Sequence, residues 1–578
     1  MKRLLFFICT LLFANVLSAQ SFWEGYLHYN IIGGGKVEVD GCNSGATSVN
    51  IPSSVTHAWE HYDEEEDEMI TDSIVTYNVT AIGYAAFAYC GNLSSISIPN
   101  GVNSIGQFAF FDCTSLTSIT IPNGVNSIGE RAFHNCSSLA SVYIPNSLTS
   151  IGDYSFRWCS SLTSVIIPNS VTYIGEQAFS HCYSLISIDI PNSVTYIGEA
   201  AFLYCTSLIS VSIPNSITSI KNNLFQNCSS LTSVTIPNSV ISIGKFAFSV
   251  CSSLTSVTIG NSVTSIGEFA FNNCSSLSSI TIPNSVSSIG EEAFYYCTSL
   301  ESINLSDNIA SIGRNCFDSC INLTNVNIPT SLSVIDTSVF RYCTSLTSVT
   351  IPNNINSIRG WAFMGCKNLS DVTIGNNVFS IGYAAFAYCD SLTTVTSFAN
   401  NPPALGEFAF YDIGSPSTLY PPYGYSYFYR NSDWKDWFDC IVLDTTIYAT
   451  IMEGETYSFN GYELSEEGSY SATVLSVNGC EINLTINLYV ISNDYINRET
   501  SSLQETELEE IVFYPNPTKG LISFSKSIEK IEVVDISGKI LLSFSNVREI
   551  NIGDLPAGSY LLRLHSNENS VLRKIVKE

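Results

Sequence analysis

The chain has 578 residues, too many for one compact core, so it should fold as several domains or as an extended repeat array. Its 23 basic and 51 acidic side chains give a net charge of −28, which argues against binding to nucleic acid or to anionic membranes. Charged residues make up only 13% of the sequence, so Ser, Thr and Asn must supply most of the polar surface.

The first twenty residues have the pattern of a secretory signal peptide. A basic start, MKR, precedes an apolar run and small residues near Ser18 and Ala19. This run is too short for a stable membrane span, and no later stretch reaches about 18 apolar residues. We therefore predict an exported protein with no transmembrane segment after removal of residues 1–20. Residues 21–46 are predicted to form an N-terminal cap with a hairpin around Gly33–Gly35.

Residues 47–443 are dominated by a repeat of 23 residues. Cys recurs at this spacing from Cys90 to Cys389, with Phe three residues before and Leu three residues after each Cys. A fixed period of this length indicates a solenoid whose turns stack on one another. In LSSITIP the alternation of apolar and polar residues predicts a short strand that Pro283 ends. EFAFNNC predicts one helical turn or an irregular arc. The expected fold class is mostly β, with each repeat a strand plus this arc.

The repeat unit SIGxxAFxxCxSLTSVTIPNSV closely resembles the BspA-type leucine-rich repeat of bacterial and protist surface proteins. The resemblance covers roughly residues 47–443, because the phase does not slip between Cys90 and Cys389. A first repeat is followed by an acidic insertion. At the other end, a segment with Trp434 and Trp437 is similar to the C-terminal cap of the family. This resemblance implies an extracellular adhesin or another surface protein.

Two small β-sandwich domains are predicted after the repeats. Residues 444–492 alternate apolar and polar residues between turns, and residues 493–510 are a polar, acidic linker. Residues 511–578 contain YPNP, DISGK and LPAGSYLLRL, an order that strongly resembles the type A sorting domain of the type IX secretion system. This resemblance implies export by the type IX machinery of a gram-negative bacterium. The protein would then be secreted or attached to the outer-membrane surface.

The fourteen repeat cysteines allow three interpretations. Neighbouring turns could bring them close enough for disulfides in an oxidising compartment, or they could bind a metal. However, a column of equivalent residues has no natural pairing, and the lack of nearby His makes a poor zinc site. We predict buried free thiols that pack as small apolar groups, with no metal and no cofactor.

Aromatic side chains recur immediately before the repeat cysteine, and they form the predicted binding site. Its members are Tyr89, Trp158, Tyr204, Tyr296, Tyr342 and Tyr388. Other repeats have Asn or Asp at this position, which indicates an exposed column. Exposed rings could stack on sugars or anchor a protein partner. Alternatively, they could cover the edges of the turns and bind nothing.

A second exposed row is predicted between the two buried residues of each strand. Most repeats have Ser or Thr there, although Tyr143, Ile166 and Asp189 interrupt the row. This surface could hydrogen-bond a glycan or an extended polypeptide, or its residues could simply suit an exposed strand. The acidic stretch Asp63–Glu68 lacks the ligand spacing of a calcium loop, so we expect a solvated loop there.

The sequence contains no recognisable catalytic pattern, and we do not expect an enzyme. The six His residues never form HExxH, and no G-x-S-x-G elbow is present. Three hypotheses for a leucine-rich-repeat scaffold follow. It could be an adhesin that binds host or neighbouring-cell proteins, a glycan-binding module that uses the aromatic column, or a structural component of the cell surface. The first is preferred, and the ligand would be an extracellular protein or glycan.

Overall fold

The chain consists of two units, each described by itself. In this computed structural model the units are Met1–Ser417 and Thr418–Glu578. The residues that the structure describes are 21–43, 45–63, 68–422, 425–442, 446–452, 454, 456–459, 462–475, 481–491, 513–514, 521–535, 539–556, 558–566 and 569–577. The predicted signal peptide and the predicted linker lie outside the described residues.

The first unit begins with the predicted hairpin. Strands Ser21–Glu24, Leu27–Gly33 and Lys36–Cys42 form an antiparallel sheet, and the last of its turns has positive φ at Gly34 and Gly35. The apolar side chains that this sheet buries are Phe22, Leu27, Tyr29, Val37 and Val39. The third strand then pairs in parallel with the strand that leads into the solenoid, so the sheet continues into the repeats.

A long β-hairpin is inserted near the start of the solenoid. Its strands are Ser54–Asp63 and Glu68–Ile82, and its tip, which holds most of the predicted acidic loop, lies outside the described residues. Strand Ser48–Asn50, before the hairpin, pairs in parallel with Ser95–Ser97, after it. The hairpin is therefore an insertion that leaves the stack of turns intact, as the sequence predicted.

Most turns of the solenoid contain two short parallel strands. We call the strand in the LTSVTI segment the long strand and the strand in the SIG segment the short strand. The long strands are Ser48–Asn50, Ser95–Ser97, Ser118–Thr120, Ser141–Tyr143, Ser164–Ile166, Ser187–Asp189, Ser210–Ser212, Ser233–Thr235, Ser256–Thr258, Ser279–Thr281, Ser302–Asn304, Asn325–Val326, Ser348–Ile351, Asp371–Ile374 and Thr394–Ser397. The short strands are Ser104–Ile105, Ser127–Ile128, Ser150–Ile151, Tyr173–Ile174, Tyr196–Ile197, Ser219–Ile220, Ser242–Ile243, Ser265–Ile266, Ser288–Ile289, Ser311–Ile312, Val334–Ile335, Ser357–Ile358, Ser380–Ile381 and Ala404–Leu405. The sequence predicted only the long strand.

Residues 23 apart pair across neighbouring turns. Ser141 is aligned with Ser118 and Ser164 among the long strands, and Ile128 is aligned with Ile105 and Ile151 among the short strands. Within the described residues, the solenoid has about 16 turns of this kind. Since most strands find their hydrogen-bond partners in a neighbouring turn, no single turn is a complete structural unit.

The arc that returns from the short strand to the long strand is irregular in every described repeat. In the repeat around Phe271, the backbone has positive φ at Phe269 and Asn273. The amide of Phe271 donates to the carbonyl of Ala293 in the next turn, at 2.8 Å. Other amides of the arc bond within the turn, as Cys274 does to the carbonyl of Phe271 at 3.2 Å. The arc therefore alternates bonds to the next turn with single tight turns and is irregular, which is one of the two predicted alternatives.

A ladder of phenylalanine rings forms the centre of the solenoid. Within the described repeats it contains fifteen rings, from Phe87 to Phe410. Neighbouring rings are nearly parallel, with centroids 5.0 to 5.7 Å apart. Each ring is at most 1% exposed. This spacing is close to the distance of about 4.8 Å between hydrogen-bonded strands, so ring stacking and strand pairing satisfy the same geometry.

Glycine follows most short strands because successive turns approach closely there. A Cβ atom on Gly267 would lie 2.7 Å from the backbone carbon of Gly244, one turn earlier. Lys221 and Asp336 occupy this position in two turns, and the ladder of short strands is interrupted immediately before each of them. At Lys221 and Asp336 the side chain and the interruption coincide. Arg359, one turn after Asp336, keeps its pairing.

The second unit contains short helices followed by β domains. Its first elements are the strand Thr418–Tyr420, the helix Ser426–Arg430, the 3-10 helix Asp433–Asp436 and the strand Cys440–Ile441. Trp434, predicted as part of a cap, is 1% exposed and stacks on Phe438. None of the helices in the described part of the chain has the length and hydrophobicity that a membrane span requires.

The remaining strands lie in the two regions predicted as β-sandwiches, and in the second region the described strands form one sheet rather than two packed sheets. In the first, Thr446–Met452 pairs in parallel with Glu481–Ile491, which also pairs antiparallel with Gly468–Leu475; Tyr457–Phe459 and Tyr462–Leu464 form a separate hairpin. The second is an antiparallel sheet with its own apolar core. Its strands are Phe513–Tyr514, Leu521–Val534, Ile540–Asn551, Gly558–Ser566 and Asn569–Lys577.

The substitution Phe271→Ala should lower the free energy of unfolding by about 3–5 kcal/mol, because it removes a buried ring and leaves a cavity between two others. Urea denaturation followed by circular dichroism measures this change. The exposed Phe379→Ala serves as the matched control and should cost far less. A loss below about 1 kcal/mol for Phe271→Ala would contradict the ladder as the main source of stability.

Candidate functional site

The residue before each repeat cysteine, which we call the turn column, has a left-handed backbone. Its φ is 62° at Tyr89, 64° at Trp158 and 60° at Tyr204. Asn and Gly adopt this conformation with little strain, and other turns use Asn135 and Asn227 here. A bulky ring at the same position carries backbone strain that asparagine would reduce. Val250 and Ser319 have the same backbone conformation, so it belongs to the repeat, and the aromatic members of the column are candidates for binding because their rings reach solvent.

The structure brings together two of the six predicted binding residues. Trp158 and Tyr204 lie on either side of His181, with centroids 4.0 Å and 4.8 Å from the imidazole ring. We call these three rings the aromatic stack. Tyr183 contacts Trp158 edge-on at 5.7 Å. Since the inner faces of the stack cover one another, only its edges and its two outer faces can contact a ligand.

The other four predicted residues lie apart from the aromatic stack. Their side chains are between 40% and 70% exposed. Turns with other residues in the column separate them from one another. Their neighbours are Phe111 for Tyr89, Tyr295 for Tyr296, Arg341 for Tyr342 and Tyr411 for Tyr388. The predicted aromatic column is therefore a set of isolated rings with one continuous segment.

The second predicted surface is a row of exposed side chains at the centres of the long strands, which we call the strand face. Its members include Ser97, Thr120, Tyr143, Ile166, Asp189, Ser212, Thr235, Thr258 and Thr281. Three residues earlier in the repeat, Thr255 donates to the carbonyl of Thr232 in the preceding turn. The hydroxyls of the strand face make no such bond among the described residues. They are free to bond a ligand, whereas the hydroxyl of Thr255 stabilises the packing of one turn on the preceding turn.

Two features make part of the strand face unlike the rest. Ile166 is 82% exposed and Tyr143, on the adjacent turn, is 51% exposed. Both line a shallow hollow of about 280 Å³. A larger open hollow, of about 720 Å³, lies further along the same face and is lined by polar side chains such as Ser212, Thr235 and Thr258. An apolar segment thus adjoins a long hydroxyl surface.

The repeat cysteines are free and buried, as predicted. Each thiol from Cys113 to Cys389 donates a hydrogen bond to the carbonyl of the Phe 26 residues earlier, at 3.1 to 3.3 Å. A small apolar side chain such as Ala could fill the space but could not donate this bond. Cys440, in the second unit, is disulfide-bonded.

Burial also makes these thiols unreactive. It raises the pKa of Cys205 and of Cys251 to about 12, because a thiolate would lose its hydration in the apolar interior. Among the described residues, no group of three or more His, Cys, Asp or Glu side chains is arranged to hold a metal ion.

Two family models match the chain. The model of the BspA type leucine rich repeat region matches residues 80–209, 126–242, 196–323 and 310–432. The model of the secretion system C-terminal sorting domain matches residues 512–578.

Solved structures of bacterial leucine-rich repeat proteins are similar to the chain. One such protein from Bacteroides ovatus is 32% identical, with a TM-score of 0.52, over 65% of this chain and 94% of that one. A leucine rich cell surface protein from Faecalibacterium prausnitzii is 28% identical, with a TM-score of 0.41, over 66% of this chain and 95% of that one. No curated protein matches the chain.

Iodoacetamide at pH 8 should leave Cys113–Cys389 of the repeat column unlabelled in the native protein and should label them all in urea, because labelling requires an exposed thiolate. Mass spectrometry of the peptides measures the outcome. The variant Thr258→Cys places a thiol on the strand face and should react in the native state. Rapid native labelling of Cys205 or Cys251 would show that the column is not closed to solvent.

Proposed function

Since the chain belongs to the BspA-type leucine-rich repeat family and ends in a secretion sorting domain, we propose that it is an adhesin that binds host or neighbouring-cell proteins. It is a secreted or cell-surface bacterial protein. Its structural neighbours are leucine-rich repeat proteins that share its scaffold. Handling by the type IX secretion machinery follows from the sorting domain.

The strand face is the surface that best supports protein binding. Protein interfaces rely on a few exposed aromatic and apolar anchors surrounded by polar groups. Tyr143 and Ile166 provide such an anchor, and the free hydroxyls of Thr235, Thr258 and Thr281 extend the polar surround along the same face. An extended polypeptide could place one apolar side chain between the two anchors and hydrogen-bond to the hydroxyl row.

Glycan binding by the aromatic column is the second candidate function. The observation that favours it is the aromatic stack of Trp158, His181 and Tyr204, in which all three rings occupy a left-handed backbone position where asparagine occurs in other turns. Aromatic rings pack against the C–H groups of sugars. If the protein were only a structural component of the cell, neither the strand face nor the aromatic column would need to bind a ligand.

We propose that the protein is attached to the outer-membrane surface of a gram-negative bacterium. The tail, residues 511–578, would serve as an address for export rather than as part of the binding surface. Its compact core around Ile531, Val533 and Leu562 supports a domain that folds by itself.

The double substitution Tyr143→Thr with Ile166→Thr should weaken binding to protein partners roughly tenfold or more, because it removes the apolar anchors. Threonine is the residue that other turns have at this position, so the fold should be preserved. The measurement is biolayer interferometry of the purified chain against a panel of host extracellular proteins. Ile241→Thr, exposed outside the strand face, is the matched control and should bind like the unaltered protein. Equal binding by all three proteins would refute the strand-face site.

Deletion of Phe513–Glu578 should leave the protein in the periplasm, because the sorting domain is the part that the type IX machinery recognises. Fractionation of the cells and immunodetection measure its location. A chain with Ile166→Thr and an intact tail should still reach the surface. Unaltered surface display of the truncated protein would remove the sorting interpretation.

A further inference from the structure

Most cations of the solenoid are neutralised by a neighbouring carboxylate. Residues 80–413 contain eight Lys and Arg residues, and six of these make ion pairs within the described residues. The two without such a pair in the described structure are Arg157 and Lys221. Lys221 lies over the ring of Tyr196, 5.5 Å from its centroid. The guanidinium of Arg157 lies 5.7 Å from the centroid of the Tyr154 ring. After burial, its positive charge is the next cause of the lowered pKa of His181, so Arg157 is close to the aromatic stack.

A comparison with the arginine at the same position of another repeat shows which hydrogen-bond partner Arg157 lacks. Arg341 occupies the equivalent position eight turns later, and its Nε donates to Asp318, one turn earlier, at 2.8 Å. At the position equivalent to Asp318, Arg157 has His134. The Nε of Arg157 and the Nδ1 of His134 are both buried without a hydrogen-bond partner. The guanidinium of Arg157 therefore lacks a carboxylate partner of the kind that Asp318 provides for Arg341.

The neighbours of Arg157 do not supply the missing negative charge. Burial, together with the positive charge of Arg157, lowers the pKa of His134 to about 4, so this ring is neutral at pH 7. Asp112, two turns earlier, accepts a hydrogen bond from Asn135 at 2.6 Å. On the following turn, the hydroxyl of Ser180 lies 2.7 Å from Nδ1 of His181.

An open aromatic face lies next to this unpaired cation. The aromatic stack ends at Trp158 on one side, where the next residue in the turn column is Asn135. An asparagine amide is much smaller than an indole, so it covers only part of the outer face of Trp158. Arg157 and Trp158 are both partly exposed. A guanidinium and an aromatic face in consecutive positions can contact two different parts of one ligand.

We propose that Arg157 and Trp158 form a binding site for an acidic sugar residue of a glycan. The terminal nitrogens of Arg157 would pair with a carboxylate or a sulfate, and the outer face of Trp158 would pack against the C–H groups of the sugar ring. Neutral sugars would satisfy only the second contact. The net charge of −28 does not prevent this binding, because at physiological ionic strength charges more than about 8 Å away are largely screened. The site deepens the glycan-binding candidate function, on which it rests, and is separate from the strand face.

The test is an array of oligosaccharides probed with the full chain. It carries sialylated, uronic-acid-containing and sulfated glycans beside their neutral parents. The unaltered protein should prefer at least one acidic class, and the arms of the array identify whether the anion is a carboxylate or a sulfate. Arg157→Gln should weaken that binding roughly tenfold or more. Trp158→Asn, which installs the residue that other turns have in this column, should weaken it as well.

Two further variants test whether the unpaired charge of Arg157, rather than any cation of the solenoid, binds the acidic glycan. His134→Asp should give Arg157 the internal partner that Asp318 gives Arg341, and should therefore abolish acidic-glycan binding while Arg157 and Trp158 remain. Lys221→Gln removes the other unpaired cation and should leave binding unchanged. Thermal unfolding of each variant establishes that it is folded.

Each remaining outcome decides against the site. Equal binding of acidic and neutral glycans, or full binding by a folded Arg157→Gln variant, would overturn the proposal while leaving glycan binding by other rings in place. Binding of no glycan at all would overturn the glycan-binding function itself. The same variants should bind protein partners like the unaltered chain, because none of these substitutions lies on the strand face. This measurement therefore separates glycan binding from protein binding.

Discussion

The structure of the solenoid depends on one constraint, which is that residues 23 apart must lie one above the other at the spacing of hydrogen-bonded strands. Backbone amides in the strands and in the arcs find their partners in the neighbouring turn, and the Phe rings stack at 5.0 to 5.7 Å along the same axis. Neither interaction can be formed by one turn alone. The repeat is therefore maintained along the chain as a condition for folding, since each turn must present its neighbour with a matching surface.

The same constraint explains residue choices that would otherwise look arbitrary. The cysteine is small enough to fit beside the ring ladder and still donates a bond to a Phe carbonyl, as Cys205 does to Phe179. Glycine follows the short strand because the backbone of the preceding turn leaves no room for a Cβ atom. Where Lys221 and Asp336 replace it, the ladder of short strands is interrupted. Each column thus has a physical requirement, although the pairing before Arg359 shows that a side chain at the glycine position does not always interrupt the ladder.

Because the interior is so uniform, the information that distinguishes one part of the surface from another lies in the departures from the repeat. Tyr143 and Ile166 replace hydroxyl residues on the strand face, and Trp158 replaces the asparagine that suits a left-handed turn. His134 stands where the equivalent turn has Asp318 beside Arg341. All of these departures lie in neighbouring turns near the start of the array. The anchors of both proposed binding surfaces therefore lie in this part of the solenoid.

The sequence by itself determined the period, the buried Phe, Cys and Leu columns, the long strands, the insertion and the sorting domain, because each of these follows from patterns that repeat or from motifs that are local. It also indicated that the turn column reaches solvent, since the column accepts Tyr, Asn and Asp, although most of its members are half-buried and Gly365 is buried. Only the tertiary structure decided which exposed side chains are satisfied and which are free. The hydroxyls of Thr255 and Thr258 are chemically identical, yet one bonds the preceding turn and the other bonds nothing in the described structure. Likewise, Arg157 and Arg341 occupy the same column, and only the side chain one turn earlier distinguishes an unpaired cation from a neutralised one. The physical reason is that a periodic pattern specifies which positions meet, whereas hydrogen bonding and charge depend on the distance and orientation of the particular groups that meet there.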